Sequence, residues 1–323
     1  MSNKMKNEKT YVLYLTRYCA QEDFSIAVCM DKSIKRLQYP FCLKDYENSK
    51  QMCSISKNRS DSKIVACGSD LYVRSKSKQG CFFEKYFAFS KNLIILPSTL
   101  DKRSGFCVCS FMQNIYVMGG NKTVSRPYGY IYSSCNACMC YNVRTKTWTY
   151  IASMSESRHN ASCAIFEGKI VVSGGRSFEL FGRSSFLRSV EMYCSFGNKW
   201  TKFPDMLGGR VDHGSVSMGN KLFVVGGLNL TCCEVFDRSN NAFTYVESIP
   251  HNTYVNHHPA DLVSVGYKIY VIREIQTETL GDSKGKYSLI MLCYDSNKNA
   301  WKTADGYSLQ NEAEFSCAKV LNN

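Results

Sequence analysis

The sequence predicts an all-β fold in which one small sheet is repeated around a ring, and two observations predict it. Four units share one frame, an aromatic residue, a turn-forming polar stretch and another aromatic seven positions on: Tyr141 and Trp148, Tyr193 and Trp200, Phe236 and Phe243, Tyr294 and Trp301. All three tryptophans fall in this frame. Upstream of three of these pairs stands an apolar run closed by two glycines, at 115–120 (IYVMGG), 170–175 (IVVSGG) and 222–227 (LFVVGG). A self-similar unit of roughly 50 residues with these marks reads as one blade of a β-propeller.

Each element of the unit follows from its residues. The apolar, β-branched runs suit buried strands, and the glycine pairs Gly119–Gly120, Gly174–Gly175 and Gly226–Gly227 let the backbone turn or approach a neighbour, so each strand is expected to stop there. A variable polar stretch follows. Then comes a strand ending in Tyr-Asn, Phe-Asp or Tyr-Asp, a turn rich in Asn, Lys and Ser, and a strand opening on Trp or Phe. Residues 294–301 (YDSNKNAW) show this order most clearly. The paired aromatics are large enough to fill the space between adjacent sheets.

These residues resemble the kelch repeat family, in particular the propellers of kelch-like proteins. The resemblance is strongest from about 101 to 237, weaker to Trp301 and faintest before residue 100. Asp70–Val73 and the step from Tyr86 to Leu93 mark a second unit with Arg74–Ser75 in place of glycines, and the sixth unit has Arg273–Glu274 there. The resemblance implies a single domain over 1–323: six four-stranded antiparallel blades at 11–60, 61–101, 102–155, 156–207, 208–250 and 251–311. Five blades would also fit if residues 1–60 were something else. The first blade is read from strands at 11–18 and 24–30, with Leu37 in the tryptophan position. A closing strand at 312–320 is expected to pair with that blade near 24–30, since an unpaired edge would otherwise remain.

Arg103, Arg158 and Arg210 stand just ahead of three successive units, with His159 and His213 close behind the last two. They look like the arginines that ring the mouth of kelch-like substrate receptors and hold partner carboxylates, for which a guanidinium fork is suited. The alternative is that the same arginine bonds to neighbouring backbone inside the blade. The resemblance implies a protein-interaction module similar to the substrate-recognition propellers of cullin ubiquitin ligase adaptors, with an actin-binding kelch protein as the second reading. The helical BTB and BACK domains of complete adaptors are not expected, because strand-like sequence begins by about residue 11.

Composition narrows the choice. The net charge is +13, and residues 1–103 hold 19 Lys and Arg against 10 Asp and Glu, nine of the thirteen surplus charges, which favours an acidic protein partner. The cations are scattered singly outside any nucleic-acid module, so nucleic acid is not expected. Neither a signal-type apolar segment nor a span of transmembrane length occurs, which gives a cytoplasmic expectation. Seventeen cysteines in apolar settings read as reduced core residues, and the Cys-x-x-Cys at 135–138 has no matching second pair, so no metal is expected. No nucleophile elbow, phosphate loop or dinucleotide fingerprint is present, so neither a cofactor nor an enzyme is expected.

Overall fold

The computed structural model describes residues 11–17, 24–30, 63–67, 70–77, 80–87, 93–97, 103–126, 129–178, 184–250, 262–278, 286–310 and 314–318. Among them every helix or strand is a β-strand, and every strand pair is antiparallel. The chain divides into two compact units, residues 1–99 with 313–323 and residues 100–312.

The smaller unit holds two sheets. In one, β1 (Tyr11–Arg17) pairs with β2 (Phe24–Met30) and, along its other edge, with the C-terminal strand at Glu314–Ala318. Val12 faces Ala318 and Thr16 faces Glu314, so the last strand lies beside β1 and not beside 24–30, where the sequence suggested it. β1 sits between the two and satisfies both. The other sheet runs β3 (Lys63–Cys67), β4 (Asp70–Ser77), β5 (Gly80–Phe87), β6 (Leu93–Ile95) in chain order. Tyr86 pairs with Leu93 there, and β4 continues without a break through Arg74–Ser75. The expected turn frame around Leu37 and the polar stretch at 45–62 lie outside the described residues.

The larger unit holds four four-stranded sheets. Sheet I is β7 (Cys107–Phe111), β8 (Asn114–Met118), β11 (Cys138–Asn142) and β12 (Thr147–Ile151), with the hairpin β9 (Asn121–Arg126) and β10 (Gly129–Ser134) inserted after the second strand. Sheet II is β13 (Ser162–Phe166), β14 (Lys169–Ser173), β17 (Val190–Cys194) and β18 (Lys199–Phe203), with the hairpin β15 (Arg176–Phe178) and β16 (Ser184–Phe186) at the same place. Sheet III is β19 (Gly214–Met218), β20 (Lys221–Gly227), β21 (Leu230–Asp237) and β22 (Ala242–Val246). Sheet IV is β23 (Leu262–Val265), β24 (Lys268–Glu278), β25 (Lys286–Asp295) and β26 (Ala300–Gln310). The strand at Glu314–Ala318 is β27.

The seven-residue step is a cross-strand pair. Tyr141 faces Trp148, Tyr193 faces Trp200, Phe236 faces Phe243 and Tyr294 faces Trp301. Their ring centroids are 5.1, 5.0, 5.4 and 5.1 Å apart, the range for favourable aromatic contact. A four-residue loop joins the strands, and its last residue has positive φ in all four sheets: Lys146, Asn198, Asn241 and Asn299. Among residues other than glycine, Asn tolerates that conformation best, which accounts for the Asn-rich turns.

The same turn also binds the sheet before it. Asn198 Oδ1 accepts bonds from the Ala152 amide (2.8 Å) and the Tyr193 hydroxyl (2.9 Å), while the Trp200 indole donates to the Ala152 carbonyl (2.7 Å). Asn299, Tyr294 and Trp301 hold Glu247 in the same way. Phe243 lacks an indole donor, so sheet III has no such bond.

The apolar faces meet between sheets. Phe166, Phe203 and Phe236 pack together between II and III, with Phe166 edge-on to both partners at 6.1 and 5.8 Å. Cys107, Cys109, Met118 and Cys138 are buried against Ile170 and Tyr193 between I and II, so these thiols are core groups. Burial raises the Cys138 thiol to about 12. Of the adjacent pair Cys232–Cys233, the second is buried and the first half-buried.

The glycine pairs do end β8 and β14, but β20 runs through Gly226 and Gly227 with a register shift, so the expected stop fails in sheet III. There the chain reverses within residues 228–229, with Asn229 at φ +57, and needs no inserted hairpin. In sheet IV, which lacks the glycines, β24 extends through Arg273–Glu274 to Glu278.

Candidate interaction surface

The three arginines are built into the sheets rather than displayed on them. Arg158 is 0 % exposed and Arg210 1 % exposed, and Arg103 and both histidines are buried too. The physical reason is a two-way link between neighbouring sheets. The Arg158 carbonyl accepts the amide of Gly120 in sheet I at 2.8 Å, while its guanidinium donates to the carbonyls of Gly174 (2.7 Å) and Ser189 (3.1 Å) in sheet II. Arg210 repeats this one sheet further on: its carbonyl accepts from Gly175 at 2.9 Å, and its guanidinium donates to Gly226 (2.8 Å) and Cys232 (3.0 Å). Arg103 donates to the Ala137 carbonyl at 2.6 Å.

This also explains the glycines. Gly174 has φ +57, and a Cβ there would stand 2.6 Å from the Arg210 carbonyl oxygen and 2.7 Å from the His213 ring. Any side chain would therefore push the neighbouring sheet away.

Two glutamates that the sequence reading passed over complete the arrangement. Glu191 accepts from Arg158 Nη2 at 2.9 Å and from the amides of Ser155 (2.7 Å) and Glu156 (3.2 Å). Glu234 accepts from Arg210 Nη2 and from the amides of Leu207 (2.8 Å) and Gly208 (3.3 Å). Both ion pairs are almost wholly buried. Each Glu sits two residues before the first aromatic of its pair, in strands otherwise apolar at that depth (VEMYC, CEVFD), and that misfit was the available signal. The same position is Met139 in sheet I and Leu292 in sheet IV.

The histidines are equally internal. His213 Nε2 lies 2.9 Å from the Ser173 hydroxyl, and burial followed by the charges of Arg210 and Arg158 lowers its pKa to about 3. His159 Nδ1 lies 2.9 Å from the Ser134 hydroxyl, and its ring stacks on Phe178 at 4.8 Å; burial and Arg176 lower its pKa to about 4. Both are therefore neutral near pH 7.

Arg103, Arg158, Arg210, His159 and His213, expected from the sequence to face a partner's carboxylates, are all buried. Arg158 and Arg210 already face carboxylates of their own chain and have no surface left to offer. The structural motif residues do come together, in the aromatic pairs and the glycine contacts described above. Among the described residues no group of His, Cys, Asp and Glu could hold a metal ion, and no helix is long and apolar enough to cross a membrane.

Comparisons with known proteins agree with the repeat. The Kelch motif family model matches residues 102–155, 157–207 and 209–250, which contain sheets I, II and III. Kelch-like protein 26 of Danio rerio is 31 % identical over 126 residues, 39 % of this chain and 19 % of the relative. Kelch-like protein 23 of Homo sapiens is 25 % identical over 143 residues, 43 % of this chain and 23 % of the relative. Beta-scruin of Limulus polyphemus is 23 % identical over 194 residues, 58 % of this chain and 20 % of the relative. The matched stretches span about a fifth of each relative's length. Among solved structures, that of YjhT superposes with a TM-score of 0.63 at 12 % identity, covering 79 % of this chain and 86 % of the other, a likeness of fold. Residues 102–250 thus carry three kelch motifs, and the Gly-Gly, aromatic-pair unit that marks them is repeated there in space.

Proposed function

We propose that the protein is an interaction module: a single six-bladed kelch propeller over residues 1–323 that binds an acidic protein partner, in the manner of the substrate-recognition propellers of kelch-like ubiquitin ligase adaptors. The observation that carries this reading is how the buried polar groups of sheets II and III are used. Arg158, Arg210, Glu191, Glu234 and His213 all bond within a sheet or to its neighbour, which makes them parts of a rigid scaffold rather than a reacting set. Rigid sheets carrying variable loops are a common platform for binding. The charge of +13 favours an acidic partner. In this reading β27 closes the ring by pairing with β1, and removing residues 312–323 lowers the melting temperature; an unchanged melting temperature would refute closure.

A second reading, actin binding, is favoured by the match to beta-scruin. Affinity capture of the whole chain from cell extract, with mass spectrometry of what is retained, separates the two. Recovery of ubiquitin ligase subunits or an acidic substrate supports the first, and recovery of actin, followed by co-sedimentation with purified filaments, supports the second. Retention of no protein above a charge-matched control would refute the interaction reading.

A further inference from the structure

Opposite the glycine pairs, each sheet of the larger unit ends in two turns, one joining its first two strands and one joining its last two. Contacts between sheets bring these turns onto one face. Ser195 Oγ of sheet II lies 3.9 Å from Met112 Sδ of sheet I, and Arg238 of sheet III donates to Glu167 of sheet II at 2.5 Å.

The charge on this face is one-sided. Past residue 103 the chain carries 21 Lys and Arg against 17 Asp and Glu, but the eight turns with their bordering strand residues carry eight against three. Six of those cations are exposed: Arg144, Lys146, Lys199, Lys221, Arg238 and Lys298. Of the three acids, Glu167 is bonded to Arg238 and Asp237 to Lys221. Arg144, Lys146, Lys199 and Lys298 have no carboxylate partner among the described residues.

Beside these charges lies exposed apolar surface. Phe196 is 86 % exposed and Met112 52 % exposed. Met112 also walls a cleft of about 420 Å³ lined by Gln113, Asn114, Asn142 and Arg144. Large aromatics left this open at a turn tip are suited to anchor a partner, and amides with a guanidinium beside them are suited to carboxylates.

We propose that the turn end of sheets I and II, centred on Met112, Phe196, Arg144, Lys146 and Lys199, is a docking face for an acidic protein segment carrying an apolar side chain. The apolar side chain packs on Met112 and Phe196, and flanking carboxylates meet the three cations. Glu167 and Asp237 set among the cations favour a protein over a nucleic acid, whose continuous phosphates they would repel. The inference rests on the interaction reading above and adds its location, on the end of the blades away from the arginines named by the sequence.

The test uses the full chain and a fluorescein-labelled copolymer of Glu and Tyr as probe, followed by fluorescence anisotropy. Saturable binding is expected, weakened roughly tenfold or more by Arg144→Glu with Lys146→Glu and several-fold by Phe196→Ser. A control, Arg188→Glu with Lys202→Glu, also changes exposed cations but elsewhere in sheet II, and leaves binding within about twofold. Equal loss in the control, no binding of the copolymer, or a single-stranded DNA oligonucleotide that displaces it at equal concentration would overturn the proposal. If wild type and the Arg144→Glu, Lys146→Glu variant capture the same proteins from extract, the face is wrong while the interaction reading stands.

Discussion

At one end of the blades in the larger unit, Arg158 and Arg210 are buried, clamped by backbone carbonyls and matched to Glu191 and Glu234. At the other, Arg144, Lys146 and Lys199 stand exposed with no carboxylate partner among the described residues. The residue types are the same and their consequences are opposite. A buried cation without its acid is very unfavourable, so the glycine end is fixed by its own chemistry. An exposed cation costs the fold little and remains available to a second molecule, so the turn end is free to evolve for binding.

The sharpest way to break this comparison is to remove one member of a buried pair. Arg210→Met leaves Glu234 charged and enclosed, and is expected to destabilise the protein by about 3–5 kcal/mol. Adding Glu234→Met should recover part of that, the remainder reflecting the Leu207 and Gly208 amides that lose their acceptor. By contrast, Lys146→Glu at the turn end should shift stability by less than about 0.5 kcal/mol. Urea unfolding of the four proteins measures all of this, and equal effects at both ends would abolish the distinction.

Acid should attack the glycine end first. The His213 pKa is about 3 when folded, against an ordinary value of 6.5. A lowered histidine binds its proton more readily when unfolded, so its contribution is complete above pH 6.5 and is lost as pH falls from 6.5 towards 3. At pH 5 the loss from this residue is about 2 kcal/mol. His159, held near 4, acts in the same direction over a narrower window. His213→Gln should therefore flatten, without abolishing, the fall in melting temperature between pH 7 and pH 5; an unchanged slope would show that the ring is not held neutral.

The smallest effect concerns the link between sheets at the aromatic pair. Trp200→Phe keeps the stacking with Tyr193 but deletes the indole bond to Ala152, and should cost about 1 kcal/mol. Phe243, which has no such donor in wild type, provides the reference. Amide exchange at Ala152 should quicken in Trp200→Phe and remain unchanged in Phe243→Leu.

Much of the blade was legible in sequence because its signals are local. The seven-residue step reports a hairpin whose loop length sets the register, so Tyr141 and Trp148 had to face each other once both flanks were strands. The glycine pairs reported close backbone approach for the same reason, although in sheet III a bulge lets β20 pass through them. What surrounds a side chain was not local. Arg158 meets Glu191, 33 residues away, and Gly120, 38 residues before it, only because two sheets pack face to face. From the sequence, an arginine ahead of a blade could equally face the mouth or bond to neighbouring backbone.

The sequence by itself determined the repeated sheet with an aromatic hairpin inside each unit, since strand period, turn residues and pair spacing are properties of neighbouring residues. Only the tertiary structure decided which charges are enclosed and which are offered. Burial is set by the packing of one sheet against the next, and so it buried Arg158 and Arg210 at the glycine end while leaving Arg144, Lys146 and Lys199 in solvent at the turns.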